Sequence, residues 1–159
     1  MLFRSGGIGL VAKSGKHATE GLYFFHNGYA SDEVYKPTRK PDVIAINTPC
    51  SNDKGDYSSK EELLEKGRAF VKKLIEVNGT DVHYVFFGGH MVGKNPSAST
   101  QEISEVKKQL AKEFGFPFVT LPNGPNGVPA KAGGTPHPSA EDGTKQAEAF
   151  AEYLKTVLK

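Results

Sequence analysis

Pro41-Asp42-Val43-Ile44-Ala45-Ile46-Asn47-Thr48-Pro49-Cys50-Ser51-Asn52-Asp53 decides how this chain is read. Arg39-Lys40-Pro41-Asp42 has the composition of a turn, and Val43 to Ile46 is a short apolar run, rich in β-branched residues and without polar alternation. Such a run predicts a strand buried on both faces, as in the middle of a parallel sheet. The run stops abruptly in small polar residues that end in Asn52-Asp53. In open α/β sheets ligands bind beyond the carboxyl ends of the strands. Thr48 to Asp53 is therefore the first place to look for chemistry.

Downstream, Ser59-Lys60-Glu61-Glu62 has the spacing of a capping box. Leu63, Gly67, Phe70, Val71, Leu74 and Ile75 then repeat at helical spacing until Asn78-Gly79 stops the helix. Asn78-Gly79-Thr80 also spells a glycosylation acceptor, but the helix stop accounts for it. Val82 to Phe87 predicts a second buried strand, ending at Gly88-Gly89-His90. Ser99-Thr100-Gln101-Glu102 predicts the cap of a second helix with Ile103, Val106, Leu110 and Phe114 on one face, closed by Gly115. Phe116 to Leu121 reads as a third strand, followed by a Gly/Pro/Asn-rich loop from Pro122 to Pro138. Ser139-Ala140-Glu141-Asp142 caps the last helix, whose Ala147, Phe150, Ala151, Leu154 and Leu158 are expected to face the core. Strand–helix alternation of this kind implies right-handed crossovers and a short parallel sheet with helices on both faces, an α/β class fold of three layers. No repeat or linker divides the sequence, so residues 1–159 are expected to form a single domain.

Residues 1–40 are the least regular part. Gly6-Gly7-Ile8-Gly9 with Gly15-Lys16 nearly spells a phosphate-binding loop, but one residue too many separates Gly9 from Gly15. His17 also stands where a hydroxyl should meet magnesium, and no helical pattern follows, so the glycines read as a close-approach loop at the sheet edge. Tyr23, Phe24, Phe25 and Tyr29 read as core or cleft wall; in a cleft, with Asn27, they would suit a sugar or acyl group.

Composition narrows the function classes. A hydrophobic share of 37% with 24% charged residues fits a soluble globular protein, and a net charge of +2 without basic–aromatic runs argues against nucleic acid. The single cysteine, Cys50, excludes an internal disulfide. No apolar run approaches the roughly 18–20 residues that span a bilayer, so no membrane partner is expected. Met1-Leu2-Phe3-Arg4 is not followed by a signal-peptide core, which points to the cytoplasm for the chain as given, or to secretion if an upstream leader has been lost. His17, His26, His83 and His90 are scattered, none at metal-ligand spacing with a carboxylate or thiol, so neither metal nor cofactor is expected. His83 is expected to be half-buried on its strand, and His90 to line a cleft at a strand's carboxyl end.

Three segments converge on the carboxyl edge of the predicted sheet: Thr48 to Asp53, Gly88 to Met91, and the loop carrying Pro136-His137-Pro138-Ser139. A histidine held between prolines ahead of a capped helix has a restricted backbone, which suits a general base. The Asn52 amide suits an oxyanion donor, and so do backbone N–H groups of the Gly6–Gly9 loop, where glycine allows close approach.

Pro41-Asp-Val-Ile-Ala-Ile-Asn followed by Ser51-Asn52-Asp53 resembles the third sequence block of the SGNH (GDSL-type) esterases and acetylhydrolases. His137-Pro138-Ser139 with Gly143 and an alanine-rich helix is similar to their last block, and Gly6-Gly7-Ile8-Gly9 to their second. The resemblance covers about residues 5–159. It implies an SGNH-hydrolase-like (flavodoxin-like) α/β/α fold and a carboxylic ester hydrolase acting on a small acyl or acetylated carbohydrate ester. Asn52 would then be the oxyanion amide and His137 the catalytic base, with Gly7 or Gly9 supplying an oxyanion N–H. The chain departs from that pattern. It has no Gly-Asp-Ser nucleophile block, and Gly134 replaces the acid usually found three residues before the histidine. Cys50 stands where a glycine usually precedes the asparagine by two, and the segment from strand to Asn52 is one residue longer than usual. The candidate nucleophiles are Ser5, Cys50 and Ser51, and a backbone carbonyl is the candidate orienting group for His137. The alternative is a binding or interaction domain that keeps the cleft and has lost its nucleophile. The family's first strand lies inside its sheet, so its absence leaves an edge that either the amino-terminal segment or a second copy in a homo-oligomer would cover.

Overall fold

Val43–Ile46 is a strand, β3 in a chain that also carries the short parallel strands β1 (Ile8–Gly9) and β2 (His17–Ala18). The computed structural model describes residues 8–11, 17–18, 39–89, 96–124 and 137–158. It divides into two compact units, Met1–Asp42 with Thr48–Val82, and Val43–Asn47 with His83–Lys159.

The first unit contains β1, β2, a 3-10 turn at Ser51–Asp53 and the helix α1 (Lys60–Asn78). The Ser59 hydroxyl accepts the Glu62 N–H, as the capping spacing predicts. Glu62 reaches back one residue further than expected, its carboxylate accepting the Ser58 N–H at 2.6 Å and the Ser58 hydroxyl at 2.7 Å. Leu63, Leu64, Phe70, Val71 and Leu74 are buried along one stripe of α1.

In the second unit β3, β4 (His83–Gly88) and β5 (Phe118–Thr120) pair in parallel in the order β3-β4-β5. Ile44 lies opposite Tyr84, and Phe86 opposite Phe118. Between them run α2 (Ala98–Phe114) and, after the last strand, α3 (Ala140–Val157). Successive strand residues point to opposite faces. On one face of β4, Phe87 meets Phe150 of α3 with ring centroids 5.7 Å apart, and the His83 ring bonds the Tyr153 hydroxyl at 2.6 Å. On the other face Gly88 lies against Lys107 of α2. Helices therefore cover both faces of β4, and this unit is the three-layer α/β/α arrangement expected. Its core is Ile44, Ile46, Tyr84, Val85 and Phe86 with Ile103, Val106 and Leu110 of α2.

Three expectations change. β3 is not buried on both faces: Val43 is half-buried and Ala45 exposed, because β3 ends the described sheet and only its Ile44/Ile46 face is packed. The α2 cap is Ser97 rather than Ser99, its hydroxyl accepting the Thr100 N–H at 3.3 Å. Ala147 and Ala151 on α3 and Leu158 after it are exposed, and the inward stripe runs through buried Asp142 and Gln146 and half-buried Phe150, Tyr153 and Leu154. The run of alanines diverted the reading by about one residue in the helical turn, roughly 100° around the axis. Gly115 closes α2 in the left-handed region, as predicted.

Candidate active site

Asp53 is the best-fixed side chain near the candidate residues. It is fully buried, and one carboxylate oxygen accepts the Val11 N–H at 2.8 Å while the other accepts the Cys50 N–H, also at 2.8 Å. The first bond joins the glycine loop to the segment after β3, and the second closes that segment into the Ser51–Asp53 turn. Charge-assisted bonds of this kind are stronger than neutral ones and offset the cost of burying a carboxylate. Gly9 is packed on the same group: a Cβ there would come within 2.6 Å of Asp53 Oδ1 and 3.4 Å of the Asn52 carbonyl carbon. Only glycine fits this approach.

Two segments singled out from sequence, the glycine loop and Cys50-Ser51-Asn52, thus lie in contact within the first unit. Cys50, Ser51 and Asn52 are half-buried, and the Thr48–Pro49 peptide preceding them is cis. Ser5, Gly7 and His90 lie outside the described residues, as do Tyr23, Phe24, Phe25, His26 and Tyr29.

His137 belongs to the second unit and is exposed. Its position along the chain is set by the start of α3. The Ser139 hydroxyl accepts the Asp142 N–H at 3.1 Å, and Asp142, itself buried, accepts the Ser139 N–H at 3.0 Å. Further along α3, the Gln146 side-chain amide donates to the Pro122 carbonyl at 3.0 Å, tying the chain after β5 to the helix that follows His137. This capping box is the one read from Ser139 to Asp142. His83 is half-buried, as expected, and is engaged by Tyr153.

Sequence reasoning passed over two residues and a groove here. Asp53 was quoted in the motif but given no role, although an acid following the candidate oxyanion amide was the available signal. Lys107 is buried, and its ammonium bonds Asn47 Oδ1 at 3.0 Å and the Phe87 carbonyl at 3.3 Å. A lysine three residues before Leu110 and four after Ile103, on the apolar stripe of α2, was the sign that it points inward. A groove of about 330 Å³ lies between α2 and the carboxyl ends of β4 and β5, lined by Gly89, Ser104, Lys108, Phe118 and Thr120 among others; none of the described candidate residues lines it. Among the described residues no three His, Cys, Asp or Glu side chains gather as a metal ion would require.

No protein-family model matches the sequence, and no curated protein matches it. Solved structures do. The chain is similar to a family two carbohydrate esterase from Cellvibrio japonicus, with a TM-score of 0.73 at 14% identity over 96% of this chain and 45% of that one. It is similar to a carbohydrate esterase family 2 enzyme with a carbohydrate binding domain from Corynascus thermopiles, with a TM-score of 0.72 at 19% identity over 96% and 50% of the two chains. A third is a family two carbohydrate esterase from Clostridium thermocellum in complex with cellohexaose, with a TM-score of 0.68 at 20% identity over 96% and 48%. These neighbours are SGNH/GDSL-type esterases. The likeness shows the fold that the sequence blocks imply, and this chain spans about half the length of each of these three structures.

Proposed function

We propose that this chain carries the hydrolytic site of a carbohydrate esterase that removes small acyl groups, acetyl above all, from a sugar. The observation that carries the reading is the junction of Gly9 with Asp53, directly beside Asn52, in a chain with an SGNH-type fold. A glycine-loop strand next to the segment that bears Asn52 supports the reading in which the two supply the donors that an oxyanion needs. The neighbour in complex with cellohexaose supports a sugar as the alcohol part of the ester.

In this reading His137 takes the proton of a nucleophilic hydroxyl or thiol, whose oxygen or sulfur attacks the ester carbonyl carbon. The carbonyl electrons pass to oxygen, and the Asn52 amide with a Gly7 or Gly9 N–H stabilises that oxyanion. Collapse breaks the bond to the sugar oxygen, which leaves with the proton from His137, and an acyl-enzyme remains. Water, deprotonated by His137, then attacks the acyl carbon, and the carboxylic acid and free nucleophile are restored. A backbone carbonyl would orient His137, because Gly134 stands where an acid would be.

The candidate nucleophiles within these residues are Ser5, Cys50 and Ser51. The test is hydrolysis of p-nitrophenyl acetate and an acetylated xylo-oligosaccharide by wild type, Ser5→Ala, Cys50→Ala and Ser51→Ala. One variant should lose at least about 10³-fold in kcat, the scale on which removal of an active-site nucleophile acts. The absence of Gly-Asp-Ser from the sequence favours one other reading, a sugar-binding domain without catalysis. That reading predicts sugar binding by a wild-type chain with no turnover.

A further inference from the structure

The groove between α2 and the ends of β4 and β5 is built entirely within the second unit. Phe118 and Thr120, two apart on β5, share one face of the strand, and Ser104 and Lys108, four apart on α2, share one flank of the helix. The strand end beside them carries two glycines. A Cβ at Gly88 would come within 3.1 Å of the Phe118 ring, and one at Gly89, whose φ is +93°, within 2.6 Å of the Leu121 carbonyl oxygen. With glycine at both positions, no side chain from either fills the groove. Ligand pockets begin at roughly 300 Å³. At about 330 Å³ this one takes a single small ring with its substituents.

The lining divides in chemistry. Half-buried Phe118 offers an apolar ring, with the hydroxyls of Ser104 and Thr120 and the side-chain amide of Asn123 around the same groove. A pyranose has the matching division, an apolar C–H face and a rim of hydroxyls. The charge is one-sided. Lys108 Nζ stands 5.8 Å from the Phe118 ring centroid, and none of the described residues that line the groove is acidic. The buried Lys107 ammonium adds a second positive charge close by, since the Cβ that would touch the Phe118 ring from Gly88 would also lie 3.2 Å from Lys107 Nζ. A concave site lined by one sign of charge concentrates the opposite ion. We infer that the groove is a further sugar site that takes one uronic acid residue of an oligosaccharide, its ring on Phe118 and its carboxylate on Lys108. That the ligand is a sugar rests on the carbohydrate esterase reading above; that it is an anion rests on the lysines.

The experiment compares, by isothermal titration calorimetry, a xylo-oligosaccharide bearing one glucuronic acid branch with the same oligosaccharide lacking the acid. Wild type should bind the acidic sugar about fivefold more tightly, the upper end for an ion pair open to solvent, and high salt should erase the difference. Lys108→Met keeps the length of the stem and removes the charge, and should abolish the preference. Lys108→Arg should keep it. Thr120→Trp, which fills the groove from an exposed position, should abolish it as well. Lys145→Met on α3 removes the same unit of charge elsewhere and should leave the preference intact. If Thr120→Trp does not fold, the contrast between the two Lys108 variants and Lys145→Met decides. Equal affinity for the two sugars in wild type, a preference that survives Lys108→Met, or one lost equally in Lys145→Met overturns the proposal. Hydrolysis of p-nitrophenyl acetate by wild type separates this from the reading beneath it. Turnover without a preference removes the groove site and leaves the esterase standing; a preference without turnover leaves the groove site and removes the esterase.

Discussion

Asp53 holds together the chain at Val11 and the chain at Cys50, by accepting one N–H from each on its two oxygens. A buried carboxylate survives only where such bonds replace its water, so the geometry around it tolerates little change. Gly9→Ala tests this at one atom. The added methyl would sit 2.6 Å from Asp53 Oδ1, so either the strand or the carboxylate must move. Overpacking of this kind costs about 1–3 kcal/mol. Urea unfolding should show that loss, and ester hydrolysis should fall more steeply than stability does, because Asn52 adjoins the displaced group. Wild-type stability in Gly9→Ala would mean that the contact is slack. The close approach of the glycine loop was legible in the sequence, but its partner Asp53 was not. Glycine close to an acid is too common a pattern to flag, and long-range contacts leave no local period to read.

At the level of elements, caps and stripes were legible and burial was less so. Ser59, Ser139, Gly79 and Gly115 end their helices where the sequence places them. Those signals are local, since a hydroxyl meets an N–H three residues on whatever the fold. The face of α3 was misread because alanine fits either side of a helix, and it is Phe87 on β4 that selects the Phe150 side. Caps also separate structure from function. Ser139→Ala and Ser97→Ala each remove an N-cap acceptor and should each cost about 1 kcal/mol in thermal unfolding. Only Ser139→Ala should also lower kcat, because His137 is two residues upstream of that cap. Equal kinetic effects would detach His137 from the mechanism.

The contact between β4 and α3 carries a pH signature. Burial raises the Tyr153 hydroxyl above its ordinary value of 10.0, and its neutral form bonds His83. A folded pKa above the unfolded one means that the contribution is fully present below pH 10 and is lost as pH rises through the folded value. Ultraviolet titration should lose a late-ionising tyrosine in Tyr153→Phe, and that variant should lose less stability between pH 9 and 11 than wild type does. Identical titration curves would mean that the ring is open to solvent.

For the whole molecule, the fold was legible because strand–helix alternation is a strong and redundant pattern, and the solved structures share it at TM-scores up to 0.73. The site was legible only as separate pieces. Asn52 and His137 come from different compact units, and the sequence carries no Gly-Asp-Ser to anchor them to a nucleophile. Blocks of three or four residues name donors and bases, but not the atom they serve. Lys107 and Asp53 each left a local sign in the sequence, but what each holds emerges only from burial and bonding.

The most direct measurement is a double-mutant cycle on kcat/KM for acetyl-ester hydrolysis with Asn52→Ala, His137→Ala and the pair. Groups that act on one tetrahedral intermediate are strongly non-additive. Each single variant should lose about 10²-fold or more, the scale of one lost oxyanion donor, and the double variant should be little worse than the poorer single one. Full activity in His137→Ala, or losses that simply multiply, would contradict a shared site.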